Sequence, residues 1–301
     1  MRLDEWIDAY ESRVETKKGN GYNFAFIDEG TKREIRRKIL KAVAIPGYQV
    51  PFASREMPIA RGWGTGGLQL TLSIIGPEDT LKVIDQGCDG SVNAVNMKNF
   101  IRNVTGVDIT TDTTKASLIQ TRHRVPEEKM TDNQILILQV PVPESLRTVE
   151  ASERETRRMH AEGDYSRMWL YLYEDIVRYG EISIGARYPV SVNGRYIMDP
   201  SPIPRWDVPK LHMAETLYLF GAGREKRIYA VPPFTRVEPL EYEDAAFRVE
   251  DFKGKACQRC GSTASYLDEI IDDDSGGRAY LCSDSAFCDK NRAARGAYDD
   301  Y

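Results

Sequence analysis

Cys257-Gln258-Arg259-Cys260, the run Tyr266-Leu267-Asp268-Glu269-Ile270-Ile271, the turn Asp272-Asp273-Asp274-Ser275-Gly276-Gly277, the run Arg278-Ala279-Tyr280-Leu281-Cys282, and then Cys288 form the stretch that decides the architecture of this chain. A Cys-x2-Cys knuckle sets two thiolates on one tight turn. The first run predicts a strand, the Asp/Ser/Gly segment a turn, and the second run a return strand. That hairpin carries Cys282 back beside the knuckle. Thiolates at this spacing read as a metal or iron–sulfur site. The second pair is Cys-x5-Cys rather than a second Cys-x2-Cys. The spacing therefore leaves two readings open. One is a structural zinc ribbon. The other is a centre with an open position, or with one thiol free for chemistry.

Working outward, the same reading gives a mixed α+β protein. Thr31-Lys32-Arg33-Glu34 has the pattern of a capping box, and Ile35, Ile39, Leu40 and Val43 follow on one helical face. Ile45-Pro46-Gly47 should end that helix, since proline cannot continue it. Residues 135–140 predict a buried strand, closed by Pro141 and Pro143. Ser152-Glu153-Arg154-Glu155 opens a second helical stretch, rich in Arg and Glu and then in aromatics as far as Tyr179. Val190-Ser191-Val192-Asn193-Gly194-Arg195-Tyr196-Ile197 predicts a hairpin with an Asn-Gly turn. Residues 228–231 predict a short strand. Strands and helices do not alternate regularly, which favours α+β over a doubly wound parallel sheet.

The chain has 301 residues and a net charge of −5, so no global basic field points to nucleic acid. No apolar run is long enough to span a bilayer. The first twenty residues are highly charged and lack the apolar core of a signal peptide. Four of the five cysteines cluster at ligand spacing, which fits a reducing cytoplasm better than a disulfide scaffold. Cys88 stands apart and reads as a thiol without a role.

Other candidates are less specific. Gly64-Thr65-Gly66-Gly67 and Gly221-Ala222-Gly223-Arg224-Glu225-Lys226-Arg227 could each hold an anion, but glycine-rich turns are commonly only turns. Thr121-Arg122-His123-Arg124 is a basic cluster that reads first as a solvated turn and second as a phosphate ligand or proton donor. His160 and His212 have no partner at metal-ligand spacing and read as surface or structural residues.

Longer runs carry a resemblance. Gly21-Tyr22-Asn23-Phe24-Ala25-Phe26, residues 41–52, Gly62-Trp63-Gly64-Thr65-Gly66-Gly67, residues 118–124, Val192-Asn193-Gly194-Arg195-Tyr196, residues 198–204 and residues 219–237 resemble the carbon–phosphorus lyase subunit family of bacterial phosphonate breakdown. Cys260-Gly261-Ser262-Thr263 and Leu281-Cys282-Ser283-Asp284 extend the likeness, which covers residues 21 to about 290 in order. It implies a lyase that converts α-D-ribose 1-methylphosphonate 5-phosphate to methane and 5-phospho-α-D-ribose 1,2-cyclic phosphate. It implies radical chemistry with S-adenosyl-L-methionine and a 4Fe–4S cluster, because an unactivated C–P bond is beyond ordinary acid–base catalysis.

Carried over by position, Cys257, Cys260 and Cys282 hold the cluster, Gly47 carries a glycyl radical, and Cys288 becomes the thiyl that attacks phosphorus. Cys288 also stands as a fourth metal ligand, and zinc is expected in the four-cysteine site of protein prepared in air. The resemblance implies a cytoplasmic core complex with other lyase subunits and with subunits of the ATP-binding-cassette type. It implies no nucleic-acid or membrane partner. The expected organisation is a charged extension over 1–20, a catalytic core over 21–140 and 230–255, an inserted α+β subdomain over 141–229, and a cysteine-rich, zinc-ribbon-like hairpin over 256–301. The insertion's aromatic helix, with Tyr165, Trp169, Tyr173 and Tyr179, is a candidate docking face. The alternative class is a zinc-ribbon subunit that scaffolds another catalytic chain.

Overall fold

The computed structural model describes residues 27–53, 66–85, 88–180, 188–200, 204–244 and 252–296. The expectations placed on residues 1–26 and on 62–65 lie outside the described residues. In chain order the elements are α1 (Glu29–Ala44), β1 (Val50–Pro51), α2 (Gly67–Ile74), β2 (Thr80–Asp85), α3 (Val92–Thr105), β3 (Asp108–Ile109), β4 (Leu118–Arg122) and β5 (Ile135–Gln139). There follow α4 (Glu153–Glu162), α5 (Ser166–Tyr179), β6 (Val190–Val192), β7 (Tyr196–Met198), α6 (Pro204–Leu211), β8 (Leu217–Ala222), β9 (Arg227–Val231) and β10 (Val237–Pro239). The last three are β11 (Leu267–Ile271), β12 (Arg278–Cys282) and α7 (Ser285–Ala294).

Seven strands form one mixed sheet in the order β1-β9-β8-β5-β4-β2-β3. Its middle is parallel: β3, β2, β4, β5 and β8 run together, and β9 and β1 close the edge antiparallel. Parallel strands are covered on both faces and so are apolar at successive positions. Leu118, Ile137, Leu219, Ile228 and Ala230 face one core with Ile35 and Ile39 of α1, Leu68 and Leu72 of α2, and Met97 and Ile101 of α3. Ile119, Leu136, Leu138, Phe220, Tyr229 and Val231 face a second core. Val190, Val192, Met198 and Val237 of a small β10-β6-β7 sheet cover that second face, together with Val208 and Leu211 of α6.

The mixed α+β core and the cysteine hairpin are as the sequence indicates. The parallel centre is not announced there, and the reason is local. The connection from β5 to β8 carries α4, α5, the β6–β7 hairpin and α6, so the strand–helix alternation is lost in the sequence while the strands stay adjacent in space. β8 and the first three residues of β9 also fall inside the range read as an insertion. They are hydrogen-bonded sheet strands, so the excursion from the sheet ends before Leu217.

Local signals hold with one correction. The α1 cap is Asp28, whose carboxylate accepts from the Thr31 N–H at 2.9 Å and the Thr31 hydroxyl at 2.8 Å, rather than Thr31 itself. Ser152 caps α4 as expected. Asn193 and Gly194 both take positive φ, the conformation that a two-residue hairpin turn requires. No helix among the described residues is long and apolar enough to cross a membrane.

Two glycines flagged as anion loops have a packing reason. Gly66 and Gly221 meet backbone to backbone where the approach to α2 crosses the end of β8. A Cβ on Gly221 would lie 2.6 Å from the Gly66 carbonyl carbon and 2.8 Å from the Gly67 nitrogen. Gly221→Ala is expected to cost about 3 kcal/mol, because the obstruction is main chain and cannot rotate away. Equilibrium denaturation measures this. A loss below ~0.5 kcal/mol would mean that the two segments are not in this contact.

Candidate metal centre and active site

The cysteine centre is assembled from three local structures. In the knuckle, the Cys257 N–H donates to the Ser262 carbonyl at 2.9 Å and the Gly261 N–H to the Cys257 carbonyl at 2.7 Å. The β11–β12 ladder pairs Leu267 with Cys282, which delivers the third sulfur. Asp284 caps α7 by accepting the Phe287 N–H at 2.9 Å, and the first turn of α7 delivers Cys288. All four cysteines are buried, and their sulfurs lie within 4.8 Å of one another. Cys257 and Cys288 are 3.6 Å apart, and Cys260 and Cys282 are 3.5 Å apart.

Those separations decide which group the four sulfurs fit in this arrangement. A tetrahedral zinc with bonds of about 2.3 Å places its sulfurs roughly 3.8 Å apart. A 4Fe–4S cubane sets an iron behind each thiolate and spreads the sulfurs to roughly 6 Å. The four sulfurs as placed fit one tetrahedral ion and do not fit a cubane. Burial raises the Cys257 thiol, but the N–H groups of Cys260, Cys282 and Arg259 outweigh it and bring Cys257 down to about 6. Burial and the neighbouring Cys257 and Cys260 sulfurs push Cys288 up to about 12. Burial also raises Cys282. Four close thiolates therefore need a cation to share their charge.

The ribbon is docked on the β2–β4 side of the sheet. The Ser285 hydroxyl donates to Cys88 Sγ at 3.0 Å, and Cys88 bridges back to Asp85 at the end of β2. The Tyr266 N–H donates to Glu127 Oε1 at 3.0 Å, and Lys290 pairs with Glu128 at 2.6 Å. Phe252, Tyr266 and Trp206 stack edge to face beneath it. Cys88 thus has a contact role that its isolation in the sequence does not suggest.

Beside this contact are the carboxyl ends of the parallel strands, where open sheets bind ligands. Arg122, ending β4, grips Asp85 of β2 with Nε at 2.7 Å and Nη2 at 3.0 Å. His123 follows with φ of +87°, and its Nε2 lies 3.9 Å from Asp85 Oδ1. Positive φ at a non-glycine residue is uncommon and clusters at working sites. Burial, and then the Arg122 cation, hold His123 below its ordinary range. Gln139, ending β5, has an enclosed Oε1 with no hydrogen bond among the described residues. So 121–124 is not a solvated turn: Arg124 is buried and Arg122 is ion-paired.

Gly47 is held at the β9 side of the sheet, whereas the ribbon docks on the β2–β4 side. Gly47 is buried with φ of +79°, and its N–H donates to the Ala230 carbonyl of β9 at 2.9 Å. A Cβ there would meet Val192 Cβ at 2.9 Å and Tyr196 Cβ at 3.1 Å, so only glycine fits. β9 and β2 are four strand positions apart in the sheet, a span of roughly 19 Å at the usual spacing.

The aromatic helix also needs correction. Tyr165 is buried, and Trp169 packs against Tyr242. Tyr173 and Tyr179 are exposed as expected, and Leu170 and Val177 are exposed with them.

Fold and site together define a mixed-sheet α+β protein with a zinc-ribbon-like four-cysteine centre docked beside the carboxyl ends of its parallel strands. The family model described as "Phosphonate metabolism protein PhnJ" matches residues 20–294, and the chain belongs to that family. It is 59% identical over 276 residues to a protein of Escherichia coli (strain K12) named "Alpha-D-ribose 1-methylphosphonate 5-phosphate C-P lyase", covering 92% of this chain and 98% of that one. It is also 59% identical over 272 residues to the "Alpha-D-ribose 1-methylphosphonate 5-phosphate C-P-lyase" of Rhizobium meliloti (strain 1021), covering 90% of this chain and 91% of that one.

Protein purified in air is expected to carry about one zinc per chain. Cys257→Ser and Cys282→Ser should abolish stoichiometric retention, whereas Cys288→Ser, which leaves three sulfurs on the knuckle and hairpin, should weaken it without abolishing it. Metal analysis after exhaustive dialysis distinguishes these. Equal retention in all three variants would contradict four-sulfur ligation.

Proposed function

We propose that this chain is the bond-cleaving subunit of a carbon–phosphorus lyase. In this reading it acts on α-D-ribose 1-methylphosphonate 5-phosphate and yields methane and 5-phospho-α-D-ribose 1,2-cyclic phosphate. One observation carries the reading. A four-thiolate centre abuts the strand ends that present Arg122 and His123, in a chain 59% identical to two proteins bearing that name.

The chemistry divides into what these residues can do and what a cofactor must bring. Breaking an unactivated C–P bond requires one-electron chemistry, which S-adenosyl-L-methionine and a reduced iron–sulfur cluster supply when bound. The cysteines as placed fit one ion, so a cubane on Cys257, Cys260 and Cys282 requires their sulfurs to spread. Arg122 supplies the cation that a phosphorylated, phosphonylated substrate needs at the strand ends. Cys288 is the ligand able to leave: it sits on α7, outside the knuckle and outside the β11–β12 ladder. The Cys288 thiol gives its hydrogen atom to the Gly47 radical, and the resulting thiyl bonds to phosphorus as the C–P bond breaks; the methyl radical takes a hydrogen atom back from Gly47 and leaves as methane, and the ribose 2-hydroxyl then displaces the sulfur. The O–P bond forms, the S–P bond breaks, His123 takes the hydroxyl proton, and the cyclic phosphate leaves.

Gly47 is the residue in which the radical is stored, since an α-carbon without a side chain can flatten and delocalise the spin. Contact with Cys288 requires the ribbon to move relative to the β9 edge. The working enzyme is a cytoplasmic complex with other lyase subunits and ATP-binding-cassette-type subunits, and the excursion beginning at residue 141 offers the docking face.

Two measurements test this. In the reconstituted complex, Cys288→Ala should retain cleavage of S-adenosyl-L-methionine and lose methane. His123→Gln should lose the acid limb of the rate profile: a base held below its usual range works once deprotonated, so the parent rate rises with pH through that lowered value. Methane at the parent rate from Cys288→Ala would sink the sulfur–phosphorus step. An unchanged acid limb in His123→Gln would remove His123 as the base.

The docking face has its own test. Leu170→Ala with Val177→Ala should weaken co-purification of a partner subunit without altering thermal stability, because both side chains are exposed. Full partner retention would remove α5 from the interface.

A further inference from the structure

Behind Gly47 lies a polar chain that the reading above does not use. His160, in the last turn of α4, sets Nε2 at 3.0 and 2.9 Å from the two carboxylate oxygens of Glu144. Its Nδ1 lies 3.0 Å from the Tyr165 hydroxyl. The Tyr165 hydroxyl donates to the Arg195 carbonyl, in the β6–β7 turn, at 2.7 Å. Glu144 is 1% exposed on its side chain, and His160 and Tyr165 are largely covered.

The chain begins on a carboxylate and ends on a carbonyl, both of which only accept, so the imidazole and the Tyr165 hydroxyl are its donors.

The chain bears directly on Gly47. Arg195 precedes Tyr196, and a Cβ on Gly47 would reach the Cβ atoms of Tyr196 and Val192, so the β6–β7 hairpin rests on the glycine. The Tyr48 ring meets the Tyr196 ring edge-on at 5.9 Å. The Gln49 amide donates to the Pro143 carbonyl at 2.9 Å, one residue before Glu144. Turn and hairpin are thus tied to the same short segment.

We propose that the Glu144–His160–Tyr165–Arg195 chain positions the β6–β7 hairpin against Gly47. These are positioning residues; their bearing on the reaction rests on the reading of Gly47 as the radical site. The titratable groups facing the imidazole are Glu144, Tyr165 and Tyr196. On its own helix, Arg157 and Arg158 are turned to Glu153, Glu155 and Glu162. Tyr229 of β9 senses the Glu144 charge.

The test follows amide exchange of Gly47 in the full chain, corrected for intrinsic rate, in Tyr165→Phe. That variant keeps the ring and loses the hydroxyl, and protection should fall roughly tenfold for the loss of one hydrogen bond. Metal content and exchange in the β11–β12 hairpin should stay unchanged. Full Gly47 protection in Tyr165→Phe overturns the proposal. Lost protection with methane at the parent rate would uphold the positioning chain and sink the role given to Gly47.

Discussion

Convergence of four cysteine sulfurs within 4.8 Å is the constraint on which the rest of the structure depends. Four thiols do not gather by packing, since burial alone resists the charge that makes them useful. They gather because each is delivered by a backbone device. The knuckle fixes two, the ladder register fixes the third, and a capped helix fixes the fourth. A one-residue slip in the β11–β12 pairing would turn Cys282 to the opposite face and open the centre.

The ribbon in turn depends on the sheet. Its anchors are Cys88, Glu127 and Glu128, which lie just beyond β2 and β4. The same two strands end in Asp85, Arg122 and His123, so the metal centre and the polar strand ends are held by one rigid frame. Gly47 is held as firmly, but by β9 and the β6–β7 hairpin at the other side of the sheet. Two well-positioned but separated groups are what a protein with a moving part, or with a carrier between its sites, would show.

Much of this was legible in the sequence, for identifiable reasons. The cysteine hairpin, the Asn193-Gly194 turn and the Ser152 cap are local chemistry, in which a few adjacent residues determine the backbone. The parallel order of β2, β4, β5 and β8 is not local, because the long connection before β8 hides the alternation. Arg122 and His123 were visible as a basic cluster, but their value comes from Asp85 on a neighbouring strand, which no spacing rule reaches. His160 read as isolated because Glu144 and Tyr165 stand at separations that match no ligand motif. Tyr165 and Trp169 read as part of a docking face with Tyr173 and Tyr179 because aromatic content does not say which side of a helix is covered; only Tyr173 and Tyr179 of the four are among its exposed side chains.

The central claim is that the cysteine centre lends the Cys288 sulfur to phosphorus at the strand ends. Acid quenching of the active complex during turnover, followed by mass analysis of the cysteine peptides, tests it most directly. The account predicts a phosphoribosyl-phosphorus adduct on Cys288 and on no other cysteine, growing and decaying as methane is evolved. Methane evolution with Cys288 unmodified at every time point, or with the adduct on another cysteine, would contradict it.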